Sequence, residues 1–219
     1  MLGMPENIRG FLFDLDGVLT KTAAVHEAAW KQMFDEFLSR RAAQAGNQPV
    51  PFSSQDYNDF VDGKPRADGV RSFLASRSIS LPEGLPDDPP TEDTVNGLGN
   101  RKNELLLSKL ATDGVELYEG SVRYVRAVRD AGLPRGVVSS SANTHQVLDT
   151  TGLAPLFDIV VDGITIADEH LNGKPAPDSY LAGARSLGVD PADAAVFEDA
   201  LAGVAAGRAG KFGDRKSVV

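Results

Sequence analysis

The sequence predicts an α/β fold: a parallel sheet with helices on both faces, interrupted after its first strand by an inserted helical module. Three observations carry this expectation. Short apolar runs ending near residues 13, 139, 160 and 197 alternate with segments of helical periodicity, the pattern of βαβ units in a Rossmann-like sheet. The later strand ends, near 139, 160 and 197, lie 21 and 37 residues apart, lengths that suit single crossovers. The interval from Asp14 to Ser139 spans 125 residues, far too long for one crossover, and its composition is helical.

The elements follow in order. Phe11, Leu12 and Phe13 form an apolar run too short for a helix, so a buried strand is expected, ending at Asp14-Leu15-Asp16-Gly17. From Thr22 to about Ala45, Trp30, Phe34, Phe37 and Leu38 recur at helical spacing, and their default place is a helix core. Pro49 and Pro51 break that helix, and a second is expected over Gly69 to Arg77. Ile79 to Asn100 carries four prolines and five acidic residues and reads as a solvated loop, with a third helix over Lys102 to Leu110. Ser121 is placed as the cap of a helix ended by Gly132, before a strand over Gly136 to Ser139. A helix from Asn143 to Thr151 ends at Gly152, and a strand follows at Asp158 to Val161. A helix from Asp178 to Leu187 ends at Gly188. The strand Ala194 to Phe197 then runs into Glu198-Asp199 and a Gly/Ala-rich helix.

Composition narrows the chemistry. Lys and Arg number 22 against 31 Asp and Glu, a net charge of −9, so no general attraction to nucleic acid or to anionic membranes is expected. With no Cys, disulfides, thiolate nucleophiles and Cys-ligated metal sites are excluded, and with three His a His-rich metal site is not expected. No apolar stretch is long enough for a membrane span, and Asp14 and Asp16 interrupt the first apolar run, so no secretory leader is expected. A cytoplasmic, soluble protein is the expectation.

Open parallel sheets bind ligands at the carboxyl ends of their strands. Asp14 with Asp16, Ser139 with Ser141, Lys174, and Glu198 with Asp199 all fall there. Four carboxylates at one edge repel each other unless a cation joins them, and oxygen ligands without His or Cys favour Mg²⁺. Lys174 adds a second positive charge, and the hydroxyls of Ser139 and Ser141 are donors for phosphate oxygens. The set fits phosphoryl transfer. Asp14 then serves as nucleophile, forming an aspartyl-phosphate, and Asp16, two residues on, as general acid and base. The spacing does not match an EF-hand loop, since Gly17 is fourth rather than sixth. Gly63-Lys64 and Gly173-Lys174 lack the earlier Gly and the following hydroxyl of a P-loop, and Ser139 to Ser141 lack a nucleophile elbow.

The run Phe13-Asp14-Leu15-Asp16-Gly17-Val18-Leu19-Thr20 resembles the first motif of the haloacid dehalogenase-like phosphotransferases. Ser139 resembles the second, Lys174-Pro175-Ala176-Pro177-Asp178 the third and Glu198-Asp199 the fourth. The resemblance implies a core over 1–20 and 115–219, a helical cap that sets substrate specificity over 21–114, and Mg²⁺ held by Asp14, the backbone carbonyl of Asp16, Glu198 and Asp199. Ser139 and Lys174 are implied to stabilise the transferring phosphoryl group. Within the family the chain is similar to the beta-phosphoglucomutase-like branch. That similarity implies substrate contacts at His26 and Trp30, at Gly63 and Arg66 in Asp62-Gly63-Lys64-Pro65-Arg66, at Lys102, and at Ser140, Ser141 and Asn143. It implies an isomerase that converts beta-glucose 1-phosphate to glucose 6-phosphate through the 1,6-bisphosphate, acting as a monomer on a small sugar phosphate. A phosphatase of small phosphorylated metabolites would use the same residues, and a catalytically silent binding protein on this fold is the third reading. Lys21 stands where the branch usually has Asp, and Ala142 where a basic residue is common. Residues 210–219 are expected to form a compressed remnant of the strand and helix that the family adds there.

Overall fold

The structure, a computed structural model, describes residues 2–217. In chain order its elements are β1 (Gly10–Phe13), α1 (Ala23–Ala45), α2 (Ser54–Asp56) running into a π-helical turn (Tyr57–Val61), α3 (Arg66–Ser76), α4 (Val95–Asp113), α5 (Glu119–Asp130), β2 (Arg135–Val138), α6 (Thr144–Thr151), β3 (Ile159–Val161), α7 (Gly163–Asp168), α8 (Asp178–Leu187), β4 (Ala194–Glu198), α9 (Leu201–Ala209) and β5 (Asp214–Ser217). The five strands are parallel in the order β3-β2-β1-β4-β5. The chain divides into two compact units. One holds 2–22, 63–65 and 115–217 of the described residues; the other holds Ala23–Asp62 and Arg66–Gly114. Lys21, Thr22 and Gly63–Pro65 therefore group with the sheet rather than with the stretch expected to be inserted.

In the first unit, the two-residue alternation of β1 decides which side chains meet. Phe11 and Phe13 point to one face, where their rings meet Tyr124 of α5 and Phe197, Phe13 and Phe197 being stacked at 4.6 Å. Leu12 points to the other face, joining Val138, Val196 and Tyr180 of α8 in a buried cluster. Gly183 of α8 lies so near Leu12 and Val138 that a Cβ there would press on both. Helices therefore cover both faces. The register sets Phe13 opposite Val137 on one side and Phe197 on the other, and the Asp14 amide donates to the Phe197 carbonyl at 3.0 Å. The residues that follow these three strands consequently emerge at one edge, beside the point where the strand order reverses.

The second unit is helical. α1 packs chiefly on α4, and its core is aromatic: Phe34 meets Trp30, Phe52 and Phe73, with Trp30 stacked on it at 5.4 Å. No helix among the described residues is long and apolar enough to cross a membrane.

Five segments differ from the sequence expectation. The loop placed over Ile79 to Asn100 ends early, because Thr94 caps α4 by accepting the Gly97 amide at 2.9 Å, and the helix starts at Val95. Gly97 and Gly99 hide that helix from propensity, yet Gly97 lies against the Glu92 carbonyl and Gly99 against the Arg66 side chain, where a larger residue would crowd. Ser121 does not cap α5, which begins at Glu119 after Tyr118. Two short helical segments were not expected: 54–61, opened by a capping box between Ser53 and Asp56, and α7, capped by Asp162. The stretch placed as a compressed remnant forms β5, parallel to β4; residues 218 and 219 lie outside the described residues.

Phe34→Ala removes the ring on which three aromatics converge. It is expected to cost about 3–5 kcal/mol of stability in the second unit. Denaturant unfolding followed by the fluorescence of Trp30, the one tryptophan of the chain, checks this.

Candidate active site

The register of the sheet builds the site. Asp14 follows Leu12 by two residues and Glu198 follows Val196 by two, so both carboxylates turn to the face covered by α8. Lys174 reaches between them. Its Nζ donates to Asp14 Oδ1 at 2.6 Å, to Glu198 Oε1 at 2.5 Å and to the Val138 carbonyl at 3.3 Å, with 0% of the side chain exposed. Glu198 is held on its other side too: Oε2 accepts the Ala200 amide at 2.9 Å, and Gly203 of α9 lies so near that a Cβ would run into the carboxylate. Tyr180 completes the surroundings, its hydroxyl donating to Glu198 Oε1 at 3.1 Å and its ring centroid 4.9 Å from Lys174 Nζ.

The charges in this pocket are unequal in number. Burial pushes the Asp14 carboxyl well above the ordinary carboxylate range; Lys174 opposes this, while Glu198, Asp16 and Asp199 add to it. Burial acts to lower the Lys174 ammonium, but Asp14 and Glu198 outweigh it and hold the amine above its usual value. The two directions reflect different balances. Lys174 faces two carboxylates, whereas Asp14 faces one ammonium and three carboxylates. Burial, then Glu198 and Asp14, also push the Tyr180 phenol well above its ordinary value, which keeps the hydroxyl a donor.

Asp16 sits in the turn that leaves β1. Gly17 takes φ +87°, and a Cβ there would collide with the Asp199 carboxylate, so a glycine is required on both counts. Asp199 is thereby packed against the turn that carries Asp14 and Asp16. The turn is pinned by the Gly17 amide on the Thr20 carbonyl at 2.8 Å and stitched to the segment before α5 by the Lys21 amide on the Glu116 carbonyl and the Tyr118 amide on the Leu19 carbonyl. The buried Thr22 hydroxyl donates to Asp16 Oδ1, and Thr20 Oγ1 lies 2.6 Å from Thr22 Oγ1. Sequence reasoning missed Thr20 and Thr22, although both follow the Asp-x-Asp run within six residues. Lys21 pairs with Glu116 at 2.8 Å at the exposed surface.

The serine loop after β2 is self-organised. Ser139 is buried; its Oγ accepts the Ser141 amide at 3.1 Å, and Ser141 Oγ accepts the Asn143 amide at 3.2 Å. Ser140 donates to the Gly63 carbonyl at 2.8 Å, which places Gly63 beside this loop within the first unit. In the second unit, Lys102 is 4% exposed, 3.1 Å from His26 Nδ1 and 5.0 Å from the Trp30 ring. Trp30 is buried in the aromatic core and reaches polar chemistry through the cation above its ring. Arg66 opens α3, and burial lowers its guanidinium from the ordinary value.

Among the described residues, no three His, Asp or Glu side chains are gathered as a ready-made metal cluster. The donor chemistry nevertheless fits a hard divalent cation. Asp14, Asp16, Glu198 and Asp199 are oxygen donors only, and one ammonium does not balance their charge. Because Asp14 binds its proton more tightly folded than unfolded, its ionisation costs stability as pH rises above the ordinary carboxylate range. Asp14→Asn is therefore expected to raise the melting temperature of chelator-treated protein at pH 7, with the gain shrinking as pH falls toward about 4. Calorimetry over that range checks this; a lower melting temperature than wild type at pH 7 would refute the account.

Comparison with known proteins agrees with this geometry. A family model described as haloacid dehalogenase-like hydrolase matches residues 8–211. A beta-phosphoglucomutase of Mycobacterium tuberculosis is 59% identical over 213 residues, covering 97% of this chain and 81% of that protein. One from Bacillus subtilis is 32% identical over 202 residues, covering 91% and 78%. A solved beta-phosphoglucomutase from Clostridium difficile shares the fold, with a TM-score of 0.74 at 24% identity over 94% of this chain and 83% of that one. The match takes in β1, the serine loop, Lys174 and the Glu198-Asp199 pair, and the chain belongs to the haloacid dehalogenase-like hydrolase family.

Proposed function

We propose that the protein is a phosphoglucomutase that passes a phosphoryl group through Asp14 and converts beta-glucose 1-phosphate to glucose 6-phosphate by way of the 1,6-bisphosphate. The observation that carries the chemistry is the buried Lys174 ammonium shared by Asp14 and Glu198. The choice of sugar rests on the relative that is 59% identical over nearly the whole chain.

In the first half-reaction the phosphoryl group on Asp14 passes to the C6 hydroxyl, its bond to the Asp14 oxygen breaking as the bond to O6 forms. Asp16 takes the hydroxyl proton. Thr22 donates to one Asp16 oxygen, which orients the carboxyl and leaves the proton to the other. The bisphosphate then turns over. Asp14 attacks the phosphorus at C1, and Asp16 returns its proton to O1 as that bond breaks, giving glucose 6-phosphate and the phosphorylated enzyme. Lys174 balances the charge that moves between Asp14 and the phosphate oxygens. Ser139 is proposed to donate to the same oxygens. Asp14, the Asp16 carbonyl and Asp199 are proposed to hold Mg²⁺, with Glu198 beside them; the ion would supply further neutralisation of phosphate charge. Arg66 and Lys102, with Ser141 and Asn143, are proposed to bind the phosphate that is not reacting. His26, Trp30, Gly63 and Ser140 are proposed as further substrate contacts.

Asp14→Asn is expected to abolish turnover and phosphoenzyme formation, whereas Asp16→Ala is expected to lower the rate about 10²–10⁴-fold with Mg²⁺ binding retained. Trace glucose 1,6-bisphosphate should strongly stimulate conversion of beta-glucose 1-phosphate, and Arg66→Ala should impair isomerisation more than slow phosphate release. Rapid phosphate release from many sugar phosphates, with no isomerisation even when primed, would reassign the enzyme as a phosphatase.

A further inference from the structure

We propose that Tyr180 is a positioning residue for phosphoryl transfer, acting on Lys174 from two directions through its hydroxyl and its ring. The proposal rests on the reading of Asp14 and Lys174 given above. Tyr180 lies on α8, is 0% exposed and touches neither Asp14 nor Asp16 by hydrogen bond. Its packing against Phe212 at 6.0 Å would suit any large ring. The hydroxyl is what packing does not require. It lands on Glu198 Oε1, the same oxygen that accepts the Lys174 hydrogen bond.

That shared oxygen sets the position of the ammonium. Lys174 Nζ is divided between Asp14 Oδ1 at 2.6 Å and Glu198 Oε1 at 2.5 Å, and the reaction needs it on the Asp14 side, where charge develops. A second donor on Oε1 spends part of that oxygen's accepting capacity and weakens the pull of Glu198 on the lysine. The tyrosine ring, 4.9 Å from Nζ, adds a weak attraction for the cation that does not tie up a proton. Glu198 is not free to move away in compensation, since Ala200 holds Oε2 and Gly203 presses on the carboxylate. Removing the hydroxyl leaves Oε1 with the lysine alone and draws the ammonium toward Glu198.

The test compares wild type with Tyr180→Phe, which deletes the hydroxyl and keeps the ring, and Tyr180→Leu, which deletes both. Acetyl phosphate serves as phosphoryl donor, so that no sugar site is involved. Tyr180→Phe is expected to lower kcat about five- to twentyfold with KM within about twofold, and Tyr180→Leu to lower kcat further. Independently of turnover, the side-chain ammonium resonance of Lys174 in lysine-¹⁵N-labelled protein, assigned with Lys174→Met, is expected to shift in Tyr180→Phe. An unchanged kcat, a loss confined to KM, or an unmoved resonance in folded Tyr180→Phe overturns the proposal, whatever the melting temperature does. If Tyr180→Leu fails to fold, Tyr180→Phe decides alone. Wild-type protein inert toward acetyl phosphate and sugar phosphates alike overturns the functional reading instead, and the resonance then decides whether Tyr180 positions the ammonium.

Discussion

A lysine ammonium with no exposure, caught between two carboxylates, is the constraint around which the first unit is arranged. Replacing a buried ion pair by apolar residues is often neutral or stabilising. Stability alone therefore gives no reason to keep such a cluster. Its value lies in the charge it holds in place. Asp14 can only attack phosphorus as a carboxylate, and the burial that would keep it protonated is opposed by Lys174 alone among its charged neighbours.

The rest of the unit follows from holding that charge. Parallel register between β1, β2 and β4 brings Asp14, Ser139 and Glu198 to one edge without any long-range search by flexible loops. The space for the carboxylates comes from what is missing: Gly17 makes room for Asp199, and Gly203 makes room for Glu198. A methyl group at either position would displace a charged side chain rather than a hydrophobic one. Hydroxyls then fix orientation, Thr22 at Asp16 and Tyr180 at Glu198, each on an oxygen whose direction matters to a neighbour.

The second unit solves a different problem. Its aromatic core around Phe34 ends at Trp30, and the Lys102 ammonium lies 5.0 Å from the centre of that buried ring. Lys102 is nearly as buried as Lys174, with the His26 imidazole and the Trp30 indole beside it.

How much of this was legible in the sequence differs from residue to residue. The strand-then-carboxylate pattern at Phe13-Asp14, the spacing of the later strand ends and the Gly residues after helices are local signals, because strand polarity and chain reversal are decided over a few residues. They were enough to predict the sheet, the insertion and the edge at which the acids gather. The start of α4 at Val95 and the pairing of β5 with β4 escaped, because a cap at Thr94 and a lone run at Asp214 make sense only beside Gly97 and β4. The site divides in the same way. Asp14, Asp16, Lys174, Glu198 and Asp199 were recognisable by type and order. Thr20, Thr22 and Tyr180 were not, since a threonine or tyrosine in a helix or turn carries no mark of what its hydroxyl will meet. Residue type and spacing determine which charges the chain brings to the strand ends; only tertiary packing decides which oxygen each donor reaches, because hydrogen bonds act over about 3 Å and depend on side-chain direction that sequence distance does not encode.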